Sequence, residues 1–141
     1  GDLNTGKSAR VGAGSQNAAI AGGGANTSQT ELYDGTNWST SNTAPYPAYC
    51  VAGMGGDQND ALAKGAEIAA TWDGTSWTTV ADMPTARNKA DVSGNSGLGL
   101  VAGGGTANSG TANSVDTTLL WNNSFNTGSF LTTKKIGSNF S

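Results

Sequence analysis

Tyr33-Asp34-Gly35-Thr36-Asn37-Trp38 returns 39 residues later as Trp72-Asp73-Gly74-Thr75-Ser76-Trp77, and a shortened form follows at Trp121-Asn122-Asn123-Ser124-Phe125. Each copy sets an aromatic residue before a tight turn and a second one after it. Asp-Gly is a strong hairpin signal, because both residues tolerate the positive φ that such turns demand. The two rings then face each other across the hairpin, and aromatic cross-strand pairs contribute roughly 0.2–1 kcal/mol. A recurrence at this spacing makes a repeat architecture the first question to settle.

Two further elements recur around the hairpin. Upstream of each lies a small-residue segment, at 18–24, 60–66 and 99–105. Leu3-Asn4-Thr5-Gly6-Lys7 matches Met83-Pro84-Thr85-Ala86-Arg87, with a weaker middle copy at Ser41-Asn42-Thr43-Ala44-Pro45. The units therefore run about 3–40, 41–81 and 82–126, and residues 127–141 belong to none of them. Each unit is expected to form four short strands: a Gly-studded stretch, a strand ending in glycines, a strand carrying the first aromatic, and a strand opened by the second.

Composition agrees with an all-β chain. Gly, Ala, Thr, Ser and Asn account for 88 of the 141 residues, while only 12% are charged. Fillers of helix surfaces are scarce. A length of 141 residues allows one domain or less. The net charge is −3 and the only basic cluster is Lys134-Lys135, so the phosphate-neutralising stripe of a nucleic-acid binder is missing. With no histidine and one cysteine, Cys50, neither a His/Cys zinc site nor an internal disulfide framework is available. Cys50 is read as a small buried hydrophobe in a strand. No apolar run approaches the roughly 20 residues that span a bilayer, so no membrane partner is expected. The first residue is Gly1, consistent with processing or with a longer parent chain.

A strand closing in Gly-Gly, a loop, then Tyr-Asp or Trp-Asp with a Trp a few residues on resembles the kelch repeat, one four-stranded β-propeller blade per unit. The wording is narrower still. Asn4-Thr5-Gly6-Lys7, Ala19-Ile20-Ala21-Gly22-Gly23-Gly24 and the segment from Glu31 to Trp38 are similar to degenerate Asn/Thr/Gly-rich kelch-like repeats in structural proteins of tailed bacteriophages, notably marine and cyanobacterial ones. The resemblance covers about residues 3–126. It departs from the pattern at Lys64-Gly65-Ala66, where Gly-Gly is expected, and at Phe125, which replaces Trp after a shorter turn. Tyr33, Trp38, Trp72, Trp77, Trp121 and Phe125 are expected to form the core of the repeats.

Catalytic motifs fare poorly by comparison. The first eight residues satisfy the phosphate-cradling pattern G-x-x-x-x-G-K-S, but a working loop follows a buried strand and opens a helix, which Val11-Gly12-Ala13-Gly14 would break. The stretch is better read as a repeat element. Asp57-Gln58-Asn59-Asp60 alternates oxygen ligands as a calcium loop does, without that loop's Gly and distant Glu, and is read as a solvated turn. The Asp-Gly segments differ from the aspartate boxes of sialidases, which separate those two residues. Copper radical oxidases with kelch domains need histidine ligands, and serine hydrolysis needs a base. No catalytic residue, metal or cofactor is expected.

The function expected is therefore that of a non-enzymatic structural protein of a phage virion, a fibre, capsid-surface or tail-surface component that mediates assembly or host-surface contact. An extracellular carbohydrate-binding module or filament subunit is the alternative. Tyr46 and Tyr49 stand outside the repeating aromatic positions; they are the candidates for stacking on a host-surface glycan, the other reading being packing between blades or against a neighbouring chain. Three blades do not close a propeller, which has four to eight. The expected partners are thus copies of the chain itself and other virion proteins, with the first and third units in contact and residues 127–141 serving as a docking tail. Further repeats in a longer parent would close it equally.

Overall fold

The computed structural model describes residues 1–25, 27–45, 53–106 and 114–127, which form strands, turns and connections but no helix. The first sheet comprises β1 (Val11–Ser15), β2 (Ala18–Gly22), β3 (Thr30–Tyr33) and β4 (Trp38–Ser41). The second comprises β5 (Gly53–Gly56), β6 (Ala61–Lys64), β7 (Ala69–Trp72) and β8 (Trp77–Val80). The third comprises β9 (Asp91–Gly94), β10 (Gly99–Ala102), β11 (Thr118–Trp121) and β12 (Phe125–Thr127). Every sheet is antiparallel and ordered as in the sequence. The first strands lie side by side, β1 against β5 and β5 against β9, so the sheets stack as blades with their fourth strands outermost.

Local chemistry sets the turns. Gly56 and Gly94 end β5 and β9, and Gly14 is the last residue but one of β1, at φ of 102°, 91° and 120°. A Cβ there would fall 2.1 to 2.3 Å from the carbonyl oxygen of Ala18, Asp60 or Leu98, so the position accepts no side chain. The aromatic hairpins turn at Gly35 and Gly74, with φ of 93° and 94°; in the third copy Asn123 takes the left-handed conformation at 68°, which Asn tolerates better than other residues.

The ladder registers align the blades residue by residue. Thr30, Ala69 and Thr118 open the third strands; Trp38, Trp77 and Phe125 open the fourth. They also correct one expectation. The N–H of Ala44 donates to the Ser28 carbonyl at 2.8 Å, just as that of Met83 donates to Glu67 at 2.9 Å. Ala44, not Ser41, is therefore the counterpart of Met83, and the middle copy of that element starts three residues later than residue similarity suggests. Ser41 instead ends β4. Register follows the backbone donor that finds its carbonyl, and the Thr and Pro shared by the two segments do not fix it.

One part of the core lies between the first two blades and another on the third. Ile20, Met54, Ala61, Ala63 and Trp72 are buried between the first and second, with Val11, Ala13 and Leu32 against them. Met83, Ala90, Val101 and Leu119 form a second cluster with Val92 and Phe125. Glycine brings the inner strands of the second and third blades close. A Cβ on Gly55 would lie 2.6 Å from the Gly94 oxygen and 2.8 and 2.9 Å from the Ser93 backbone. Gly55→Ala is expected to force β5 from β9, costing about 3 kcal/mol and roughly 10 °C in Tm. Calorimetry checks this, and a shift below about 2 °C would contradict so close an approach.

Candidate functional site

The two ends of the blades differ in chemistry. At one end the strands are joined by short turns, four of which are closed by acid or amide side chains. Asp34 Oδ1 accepts the N–H groups of Thr36 and Asn37 at 2.8 and 2.7 Å. Asp73 Oδ1 accepts those of Thr75 and Ser76 at 2.9 and 2.8 Å, together with the Thr75 hydroxyl. Asp57 and Asn95 do the same in the turns after β5 and β9. Asp57 thus acts as a turn residue, and Asp60 accepts the Ser96 N–H of the next blade at 2.9 Å.

These bonds hold the exposed carboxyls of Asp34 and Asp73 below the ordinary value of 3.8, chiefly through the backbone N–H groups of Asn37 and Ser76 respectively. A carboxyl depressed in the folded state stabilises the fold above its unfolded pKa and loses that contribution as pH falls through the folded one. Acid below about pH 4 is therefore expected to loosen the hairpins. Asp73→Asn keeps the acceptor without the titration and should flatten the pH dependence of Tm between pH 2 and 4, roughly; an unchanged profile would refute the assignment.

The opposite end carries the longer connections, 23–29, 42–52, 81–90 and 103–117, beside the short 65–68. Tyr46, Tyr49 and Cys50 fall in 42–52, and they lie outside the described residues, as does 128–141 of the tail. Beneath these connections sits a set of buried charges that residue patterns did not point to. Lys64, at the end of β6, is fully buried; its Nζ donates to the carbonyls of Gly65 and Arg87. The Arg87 guanidinium reaches the carbonyls of Gly103 and Thr117 and the Thr117 hydroxyl, and burial lowers its pKa. Together they tie the second blade to the third across the mouth of connection 103–117. The sequence signal was the Lys standing where Gly-Gly is expected. In the first blade, Arg10 Nη2 lies 2.7 Å from the buried Glu31 Oε1, an ion pair by distance whose N–H vectors are not aimed along it. Glu31 Oε2 accepts the Asn4 N–H at 2.7 Å.

The repeat aromatics pair as hairpin partners: Tyr33 with Trp38 at 5.1 Å between ring centroids, Trp72 with Trp77 at 5.2 Å and Trp121 with Phe125 at 4.9 Å. Trp72 and Trp121 are buried, whereas Tyr33, Trp38, Trp77 and Phe125 are half-buried. The indole N–H groups of Trp72 and Trp121 donate to the carbonyls of Gln58 and Ser96, and that of Trp77 crosses to Thr30 Oγ1 of the preceding blade at 2.9 Å. The Trp72–Trp77 pair thus lies on the blade face turned toward the preceding blade, and the other two pairs hold the same register. The other face carries Ile20, Leu62 or Leu100, of which the first two meet the following blade. Ile20 and Leu62 are buried there; Leu100 is partly covered, and Leu98 beside it is 71% exposed.

Among the described residues no three His, Cys, Asp or Glu side chains gather to hold a metal ion. No family model and no curated protein matches the sequence. In fold the chain is similar to YjhT, a kelch-like propeller, with a TM-score of 0.68 at 11% identity over 86% of this chain and 44% of that one. It is also similar to YCF48 bound to D1 peptide, a propeller, with a TM-score of 0.62 at 12% identity over 89% of this chain and 42% of the other. A fungal alcohol oxidase of the AA5 family, solved in complex with copper, matches with a TM-score of 0.56 at 16% identity, over 80% of this chain and 28% of the oxidase. The chain spans less than half the length of each. At such identities the likeness establishes the fold, propeller-type blades of four antiparallel strands, and carries no activity with it.

Proposed function

We propose that the chain is a non-enzymatic structural component of a bacteriophage particle, a fibre, capsid-surface or tail-surface protein. The observation that carries this reading is the uneven cover of equivalent positions: among the described residues, apolar faces sealed between blades are left open at both ends of the array, the form expected of a module that works by association. The Asn/Thr/Gly-rich wording of the repeats supports the virion setting. Mass spectrometry of purified particles of a phage encoding the chain is expected to find its peptides, and their absence would overturn the proposal.

Contact with host-surface glycan fits the same molecule. Its longer connections gather at one end of a rigid β scaffold, where binding residues are usually placed. Tyr46→Ala is expected to abolish binding on a glycan array without changing Tm, and a flat array for the unaltered chain would remove this role.

A further inference from the structure

Where the fold continues, two blade faces always meet in the same way. The face carrying Ile20 and Leu32 meets the one carrying Trp72 and Met54, and the face carrying Leu62 meets Gly99 of the third blade. Among the described residues, one face of each kind remains at the two ends of the array: Leu98, Leu100 and Leu120 on the third blade, and Leu3, Ala19, Tyr33 and Trp38 on the first, all at least partly exposed. We infer that these faces cover each other between two copies of this chain, the third blade of each docking on the first blade of the other, to close a six-bladed ring.

Hydrogen-bonding groups at the junctions support the match. At the first junction the residue opening β8, Trp77, donates to the residue opening β3, Thr30. At the second, the corresponding residues are Phe125 and Ala69, which offer neither donor nor acceptor. The junction between copies sets Trp38 opposite the partner's Thr118, and donor and acceptor are both present again. The backbone repeats the logic. Ala44 and Met83 donate to Ser28 and Glu67, each two residues ahead of its third strand. The counterparts between copies are the Leu3 N–H and the carbonyl of the partner's Asp116. Two copies of these three blades supply six, within the roughly four to eight that ring a propeller. The inference does not rest on the virion reading.

Light scattering on the 141-residue chain is expected to give about 28 kDa, twice the 14.0 kDa of one chain. Leu98 sits at an exposed turn, so Leu98→Asp should give a monomer with an unchanged far-ultraviolet spectrum. Trp38→Phe and Thr118→Ala should each weaken the dimer about fivefold at each of two contacts, or roughly 25-fold in all. The double variant, which copies the Phe125–Ala69 junction, should recover most of that loss. A monomer, a species larger than a dimer, or a dimer indifferent to both Leu98→Asp and the Trp38/Thr118 pair would overturn the inference.

Discussion

Trp72→Ala is expected to lower stability by about 4 kcal/mol and Tm by roughly 15 °C, because it removes a large ring from a site with no room to collapse. Trp72 is fully buried between two blades, among Ile20, Met54, Ala61 and Ala63. Its ring lies 5.2 Å from that of Trp77, and its indole N–H donates to Gln58 at 2.8 Å. The variant leaves a cavity in the middle of the array and an unmatched carbonyl beside it. Tyr33 supplies the control. It occupies the same register, opposite Trp38, on a face that none of the three described blades covers. In dilute solution Tyr33→Ala should therefore cost only about 1 kcal/mol, rising with concentration if copies associate there. Urea unfolding at two concentrations separates the cases, and equal large losses at both sites and both concentrations would mean that the first blade is covered from within the chain.

What could be read from the residues was what local chemistry determines. The Asp-Gly turn with an aromatic on either side announces a hairpin by itself, and its repetition yields the blades and their order. Even the degraded third copy was legible, since Asn123 is among the few residues that replace a left-handed glycine at low cost. The register of the middle unit was not legible, because the Ala44-to-Ser28 bond is a meeting of segments from adjacent blades. Lys64 and Arg87 escaped for the same reason: their partners lie 23 and 30 residues away in the sequence and no periodic pattern marks them. A lysine at the end of an apolar strand signals a departure without revealing what satisfies it. As for function, Tyr46 and Tyr49 were singled out because they break the repeat, and irregular connections are where the fold imposes least on the side chains.

Glu31→Ala is expected to cost about 3–5 kcal/mol, since it strands the Arg10 guanidinium, which is nearly buried, without its counter-charge. It also leaves the Asn4 N–H without its acceptor. The other blades indicate how the loss can be repaired. At the register of Glu31, the second residue of the third strand, the second blade has Ala70 and the third has Leu119, both buried. At the position of Asn4 they have Pro45 and Pro84, which carry no N–H to satisfy. The residue before the first strand, Arg10 in the first blade, is the buried Ala90 in the third. Charge, counter-charge and N–H donor thus occur together in one blade and are replaced together in another. A buried ion pair exchanged for apolar groups of fitting shape is often neutral or stabilising, whereas half of one is not. The triple variant Asn4→Pro/Arg10→Ala/Glu31→Leu is therefore expected to unfold in urea within about 1 kcal/mol of the unaltered chain, or above it. If it is as unstable as Glu31→Ala, the three residues hold the first blade by contacts of their own, and equivalence of the blades fails at this position.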